Sequence, residues 1–237
     1  MKTYLALIIL IITSSFCGFS QESIISKPKR EKNAGKDIII LDLYSDLWQN
    51  VPTNVDVRAI NQGVNIYAMF NLPFARSNFS LSSGLGVSSH NFYSDAVPIT
   101  GVSGTSFIKL GDFYQKKVDY SINKINITYI DIPVEIKFKT RAERSKRFKA
   151  SIGCKIGYNI SNHTKYRGED VIENTSDYIT LKKSNIKNIN DWNYGVTARI
   201  GYGMYNLMAY YSISKLFENN KGPQIYPISI GISITPF

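Results

Sequence analysis

From Phe148 to Ile160 the chain alternates without interruption between two kinds of side chain. Phe148, Ala150, Ile152, Cys154, Ile156, Tyr158 and Ile160 are apolar or aromatic, while Lys149, Ser151, Gly153, Lys155, Gly157 and Asn159 are polar or glycine. The segment before it behaves alike: Ile130, Ile132, Val134, Ile136 and Phe138 share one parity, and Asp131, Pro133, Glu135, Lys137 and Lys139 share the other. A period of two places successive side chains on opposite faces of a strand. These are therefore two strands, each with one apolar and one polar face, joined by a charged turn at 140–147. The period alone does not say which face is inside. A soluble sheet buries its apolar face, whereas a membrane barrel turns that face to lipid and keeps the polar one within.

Six further segments carry the same period, giving expected strands at about 36–47, 63–72, 79–90, 124–140, 148–160, 192–202, 205–213 and 223–237. No helix is expected between them. Their connections alternate in length. Short turns at 73–78, 140–147 and 203–204 interleave with longer segments, of which 92–121 and 161–188 are the longest and show no pattern. Outer-membrane barrels have this asymmetry, with short periplasmic turns and longer outer loops, and an even strand count returns both ends of the barrel to the periplasm. Within 124–140 the apolar phase slips, since Ile125, Ile127 and Tyr129 are odd while Ile130 and Ile132 are even. That slip predicts a β-bulge near Tyr129 and Ile130.

The polarity of the two faces selects between the soluble and the membrane reading. The face opposite the isoleucines and leucines is small and polar on several strands and carries Asp42, Asp46, Asp131, Glu135, Lys149, Lys155 and Arg199. An interior of opposed charges is expected to form a polar network in the lumen, because about eight strands leave a bore just wide enough for side chains to fill. On the apolar face, Tyr158, Trp192, Tyr194, Tyr202, Tyr205 and Tyr226 fall near strand ends, where rings with one greasy and one polar side suit a membrane boundary. The expected fold is all-β: an eight-stranded antiparallel up-and-down transmembrane β-barrel over 37–237. A soluble periplasmic barrel with an apolar ligand cavity is the alternative.

The leading residues fit export. Lys2 precedes an apolar run from Tyr4 to Ile12, and small residues follow, so 1–20 reads as a signal peptide cut after Ser20. The run is shorter than the ~20 residues a spanning helix needs. Cys17 has Phe16 before it where lipidation requires a small residue. Polar, aperiodic 21–36 reads as a flexible periplasmic tail. Removal of 20 residues from the 237 leaves 217, with Cys154 as the sole cysteine, so no intrachain disulfide or paired-cysteine metal site is expected. Without Lys2, 27 basic residues stand against 18 acidic ones. These charges are dispersed and the chain is exported, which argues against nucleic acid and for phosphate-rich lipid head groups.

The strand Thr128-Tyr-Ile-Asp-Ile-Pro-Val-Glu-Ile-Lys-Phe138 resembles the Tyr-Leu/Ile-acid-Ile/Val-Pro strand of the PorT-like outer-membrane β-barrel proteins of Bacteroidota. The glycine-spaced strand from Ala150 to Tyr158 and the stretch from Asn193 to Gly203 are similar to later strands of that family. Ala209-Tyr-Tyr-Ser-Ile-Ser214 lies where the family often has Ala-Arg-Tyr-Ser-x-Gly. Tyr210 replaces the inward Arg and Ser214 the Gly, so no role of that Arg carries over. The resemblance spans most of 37–237. It implies an eight-stranded barrel in the outer membrane, in a family of which one branch is implicated in type IX secretion and gliding. Phe237 matches the terminal Phe common in such barrels, although the isoleucines before it are even and it is odd.

No catalytic set is expected. His90 lies inward among serines and His163 in an outer loop, and neither has a nucleophile and an acid beside it in sequence. Asp170 and Asp191 lack the spacing of a calcium loop and read as solvated loop residues, and the Asn-x-Ser/Thr triplets at Asn78, Asn126, Asn162 and Asn174 carry no glycosylation reading in a bacterial chain. No cofactor is expected. The partners expected are outer-membrane lipid and a protein or surface glycan at loops 92–121 and 161–188. The expected role is a structural or interaction barrel, with an accessory of secretion or transport as the alternative.

Overall fold

The structure, a computed structural model, describes residues 38–74, 77–140, 146–172, 175 and 177–235. The expected leader 1–20, the tail 21–36 and Phe237 lie outside the described residues. In chain order the elements are β1 (Ile38–Gln49), β2 (Gln62–Pro73), β3 (Phe79–Tyr93), β4 (Ala96–Gly101), β5 (Gly104–Lys109), α1 (Leu110–Tyr114), β6 (Tyr120–Lys139), β7 (Phe148–Glu169), β8 (Tyr178–Ser184), β9 (Trp192–Tyr202), β10 (Tyr205–Ser212) and β11 (Tyr226–Ile234). Strands β1, β2, β3, β6, β7, β9, β10 and β11 each pair antiparallel with the next, and β11 returns to β1. This is a closed eight-stranded up-and-down barrel, which leaves no unpaired edge within the wall.

The short turns lie together at one end. Tyr202 pairs with Tyr205 across Gly203 and Met204, and Gly203 has φ +60°. A positive φ at the first position of a two-residue hairpin turn matches the twist of the flanking strands and favours glycine. Along β9 the side chains alternate as the period predicts: Trp192, Tyr194, Val196, Ala198, Ile200 and Tyr202 are exposed, while Asn193, Gly195, Thr197 and Arg199 are buried. The apolar face is thus outside and the polar face inside. This is the arrangement of the expected barrel and not of the soluble alternative with an apolar interior.

Aromatic rings mark two levels on the outer wall. Tyr158 and Trp192 face each other across β7 and β9 with centroids 5.1 Å apart, next to Tyr194, while Tyr226 pairs with Gln49 at the outer end of β11. At the turn end stand Tyr202 and Tyr205, with Phe148 opposite Tyr202 and with Phe79 and Phe138 5.2 Å apart. All six expected belt residues face outward, and these phenylalanines complete the inner level. Trp192 and Tyr202 are ten positions apart on one strand. At about 3.3 Å per residue and a tilt near 40°, that is about 25 Å of height, the thickness of an outer-membrane band.

Two expectations need correction. The segments 92–121 and 161–188 are not patternless loops: β3 runs to Tyr93, β6 starts at Tyr120, β7 continues to Glu169 with β8 beside it, and β4 and β5 form a hairpin followed by the one-turn helix α1. At 20 and 22 residues, β6 and β7 far exceed the 9–11 residues a crossing needs, so their far halves stand above the membrane. The bulge falls at the expected level, beside Tyr129, but on the neighbouring strand. Thr128 pairs with Ser161 and Tyr129 with Asn159, so the extra residue is Ile160 on β7, while β6 keeps its odd positions inward throughout. What changes in β6 is the inside itself. Ile125, Ile127 and Tyr129 enter a dry cluster, and Asp131, Glu135 and Lys137 enter the polar bore.

Candidate functional site

Inward side chains stack in layers along the bore. At the turn end, Lys149 Nζ donates to Thr235 Oγ1 at 2.9 Å, at the rim of an open pocket that Lys137, Ser151 and Arg199 also line. Next comes Arg199, whose guanidinium takes two carboxylates at once. Nη2 donates to Asp42 Oδ2 at 2.7 Å and Nη1 donates to Glu135 Oε1. Asn65 Nδ2 adds a bond to Asp42 Oδ2 at 3.0 Å, and Lys137 Nζ lies 3.8 Å from Glu135 Oε2. Above it, Asp131 Oδ2 accepts from Lys155 Nζ at 3.0 Å and from Tyr67 OH at 2.9 Å, and Lys155 sits 4.4 Å over the Tyr210 ring. Higher still, Asp46 Oδ2 meets His90 Nδ1 at 2.9 Å and Oδ1 accepts from Ser229 Oγ at 2.5 Å.

Each of the four lumen acids therefore has a cation or an imidazole against it. Asp42, Asp46 and Asp131 are fully buried, and Lys155 and Arg199 are 2% and 7% exposed. Charges taken out of water this far persist only when paired and hydrogen-bonded. Inward glycines make the room. A Cβ at Gly63 would run into the Tyr44 ring, one at Gly86 into Tyr67, and one at Gly157 into the Asp131 carboxylate. Small residues on the facing strands let long side chains fill a bore of this size.

A dry cap closes the outer end. Val55, Phe92, Ala96, Phe107, Ile125, Ile127, Tyr129, Ile189, Leu216, Phe217 and Ile225 form one buried cluster, drawn from every outer connection. Trp48 meets Phe92 edge-on at 5.0 Å, and Phe107 meets Phe217 at 5.9 Å. Phe92 also stacks on His90, with 6.1 Å between centroids, so the cap rests directly on the polar column. The β4–β5 hairpin is tied in by Thr105, whose N–H donates to Lys221 O at 2.8 Å and whose Oγ1 donates to Lys187 O at 3.1 Å. On the cap's surface Lys109 lies between Asp56 at 2.8 Å and Asp95 at 3.1 Å. The hydrogen bond from Lys109, then its charge, holds the Asp56 carboxyl below its usual range.

Of the seven residues expected to line the lumen, six form the column, while Lys149 is half-buried and bonds Thr235 at the rim. Sequence reasoning left out His90, Lys137, Tyr67 and Tyr210 as members. The parity of each was the available signal. His90 has no acid beside it in sequence, but in the fold Asp46 reaches it from β1. Ser229 donates to Asp46 and not to the imidazole. His163 lies on the extension of β7, not in a loop. Asp170 is buried rather than solvated: its carboxylate accepts from the Ile172 N–H at 2.7 Å and from Thr175 Oγ1 at 3.4 Å, pinning the turn after β7. Among the described residues no cluster of His, Cys, Asp and Glu fits a metal ion.

A family model described as outer membrane protein beta-barrel domain matches residues 16–218. No curated protein matches the chain. Among solved structures, the chain is similar to the crystal structure of Ail, the attachment invasion locus protein of Yersinia pestis, in complex with the heparin analogue sucrose octasulfate. The identity is 10%, 85% of this chain and 97% of that one are covered, and the TM-score is 0.37.

Proposed function

The chain belongs to the outer membrane protein beta-barrel domain family, and we propose that it works there as a closed, non-enzymatic interaction barrel. The carrying observation is the sealed bore: a charge-paired column under an apolar cap built from all four outer connections. A conducting pore needs a continuous wet path, and a paired column beneath a dry cluster offers none. A lipid-face hydrolase needs its histidine at the membrane surface, whereas His90 is 2% exposed and lies under Phe92. What the fold presents to the outside is a rigid platform of β3, β6, β7 and β8 with the hairpin of β4 and β5, suited to contact with a protein or surface glycan. The test is purification of the full chain, a gel mobility comparison of unheated and boiled samples, and single-channel recording in planar bilayers. A heat-dependent shift without conductance is the expected result. Steady conductance from the unaltered chain overturns the sealed-bore reading.

The narrower PorT-like reading rests on Tyr129-Ile-Asp-Ile-Pro133. Asp131 of that motif holds Lys155 and Tyr67 in the column, and Pro133 also faces inward. This supports a second role, as an accessory of protein secretion. It is tested by comparing the secreted proteins of wild-type and deletion strains, and identical profiles remove it.

A further inference from the structure

One row of the wall above the membrane is basic without a counter-charge. Tyr93 of β3 pairs with Lys124 of β6, Lys124 with Lys165 of β7, and Lys165 with Lys182 of β8, so the four side chains stand in register across adjacent strands. All point away from the barrel axis, because the intervening positions Asn123 and Tyr166 are the buried ones. Arg167 and His163 flank Lys165 on the same face, and the Arg58 guanidinium lies 5.0 Å over the Tyr93 ring. Elsewhere on the outer surface Lys109 and Lys221 have carboxylates at 2.6–2.8 Å. Among the described residues no carboxylate lies within ion-pair distance of Lys124, Lys165, Lys182 or Arg167. Lys124 instead donates to Asn91 Oδ1 at 2.8 Å. At the distal tip the Asp119 carboxylate accepts from Tyr178 OH, and the Glu169 backbone N–H donates to the Asp119 carbonyl.

Like charges directly opposite on neighbouring strands destabilise a sheet. Three such lysines in one row across about 10 Å of wall call for a negative partner from outside. The local potential has a witness in His163, whose pKa is lowered by burial and then by Lys182, Lys124 and Lys165. Height identifies the partner. Lys124 is six positions above Ile130, which pairs with Tyr158 of the outer aromatic level. That is about 20 Å along a tilted strand and about 15 Å above the lipid boundary, and a lysine stem can lean several ångströms back toward the membrane. This is the zone of sugar and phosphate, above the acyl chains and below the loop tips.

We propose that the Lys124–Lys165–Lys182 row, with Arg167, binds the phosphorylated saccharide head group of an outer-leaflet glycolipid. The proposal rests on the outer-membrane reading above and names a lipid partner for the wall of that barrel. It is tested with the full chain in nanodiscs of phosphatidylethanolamine containing fluorescent lipopolysaccharide, in its phosphorylated form or after enzymatic dephosphorylation, with enrichment around the barrel read by energy transfer. The unaltered chain is expected to enrich the phosphorylated form. Substitution of all three lysines by glutamine should cut that enrichment on the order of ten- to a hundred-fold, and substitution by arginine should keep it. Because the three sites are at the surface and glutamine relieves repulsion, both variants should keep the heat-dependent gel shift. Equal enrichment of both glycolipid forms, or undiminished enrichment by the glutamine variant, overturns the proposal. Binding of free anionic polysaccharide with no lipid enrichment overturns the lipid source. Loss of the gel shift in the unaltered chain instead sinks the barrel reading beneath it.

Discussion

Replacing Arg199 by methionine leaves two carboxylates, Asp42 and Glu135, without their shared guanidinium. Both are 0–1% exposed. Asp42 keeps only the neutral Asn65 amide, and Glu135 keeps Lys137 at 3.8 Å, longer than a hydrogen bond. Removing one member of a buried ion pair costs about 3–5 kcal/mol, because the charge left behind is uncompensated. With a urea dependence near 2 kcal/mol per M, the unfolding midpoint should fall by about 2 M. The assay is the fraction of heat-shifted barrel after equilibration in urea with lipid vesicles. The decisive comparison is the triple variant with Asp42→Asn and Glu135→Gln added, which has lost the same contacts but has no orphaned charge. It should recover most of the loss, since neutral replacement of a buried ionic triad is often tolerated. If Arg199→Met alone unfolds within about 0.5 M of the parent, or if the triple variant is worse than the single, then the column is wet enough to screen its charges and the sealed-bore argument fails.

Cys154 lies at mid-band on the outer wall, between Val134 and Val196. In vesicles it should react with a lipid-soluble maleimide and resist a charged one, and equal labelling by both would place it facing water. Phe217→Ala removes a cap residue that is 1% exposed and should cost about 3–5 kcal/mol within the cap, speeding trypsin cleavage at Lys187 and Lys221 while the heat-shifted barrel persists. A single cooperative loss of both would refute a separable cap. The Lys109–Asp56 contact should respond to acid. Because the folded carboxyl is held low, its contribution is full above about pH 3.9 and disappears as pH falls through the depressed folded value. Outer-loop cleavage by an acid-tolerant protease should therefore quicken only below that window, and Lys109→Ala should show the fast rate at neutral pH as well.

Alternation was enough to read the wall. Every outward residue of β9 and every inward acid of the column follows from parity, because within the membrane the two faces meet solvents of opposite kind. Partners across the bore were not legible. His90 meets Asp46, 44 positions away, and Arg199 meets Asp42, 157 positions away, only once the shear of the barrel sets which layers coincide. The outer elements were hidden for another reason. Above the membrane a strand has water outside and a small apolar cap inside, so β4, β5 and β8 mix polar and apolar residues on both parities and resemble loop composition.

The same reasoning locates the membrane boundary inside a single strand. In β6 the odd positions stay inward from Asn123 to Lys137, yet they read Asn, Ile, Ile, Tyr, Asp, Pro, Glu, Lys, while the even positions change from Lys124, Asn126 and Thr128 to Ile130, Ile132, Val134 and Ile136. The two faces exchange character between Thr128 and Ile130 with no break in their geometry. A soluble strand has no cause to do this, since its inner and outer solvents are constant along its length. A strand that leaves lipid must do so, because the outer face passes from acyl chains to water while the inner face passes from a paired polar column to a dry cap. An apparent phase slip at an aromatic residue can therefore mark a membrane interface as well as a bulge. The two are separated by whether the neighbouring strand also shifts register. Here β7 does, at Ile160, one residue above Asn159, the partner of Tyr129, so both events fall at the same level of the wall.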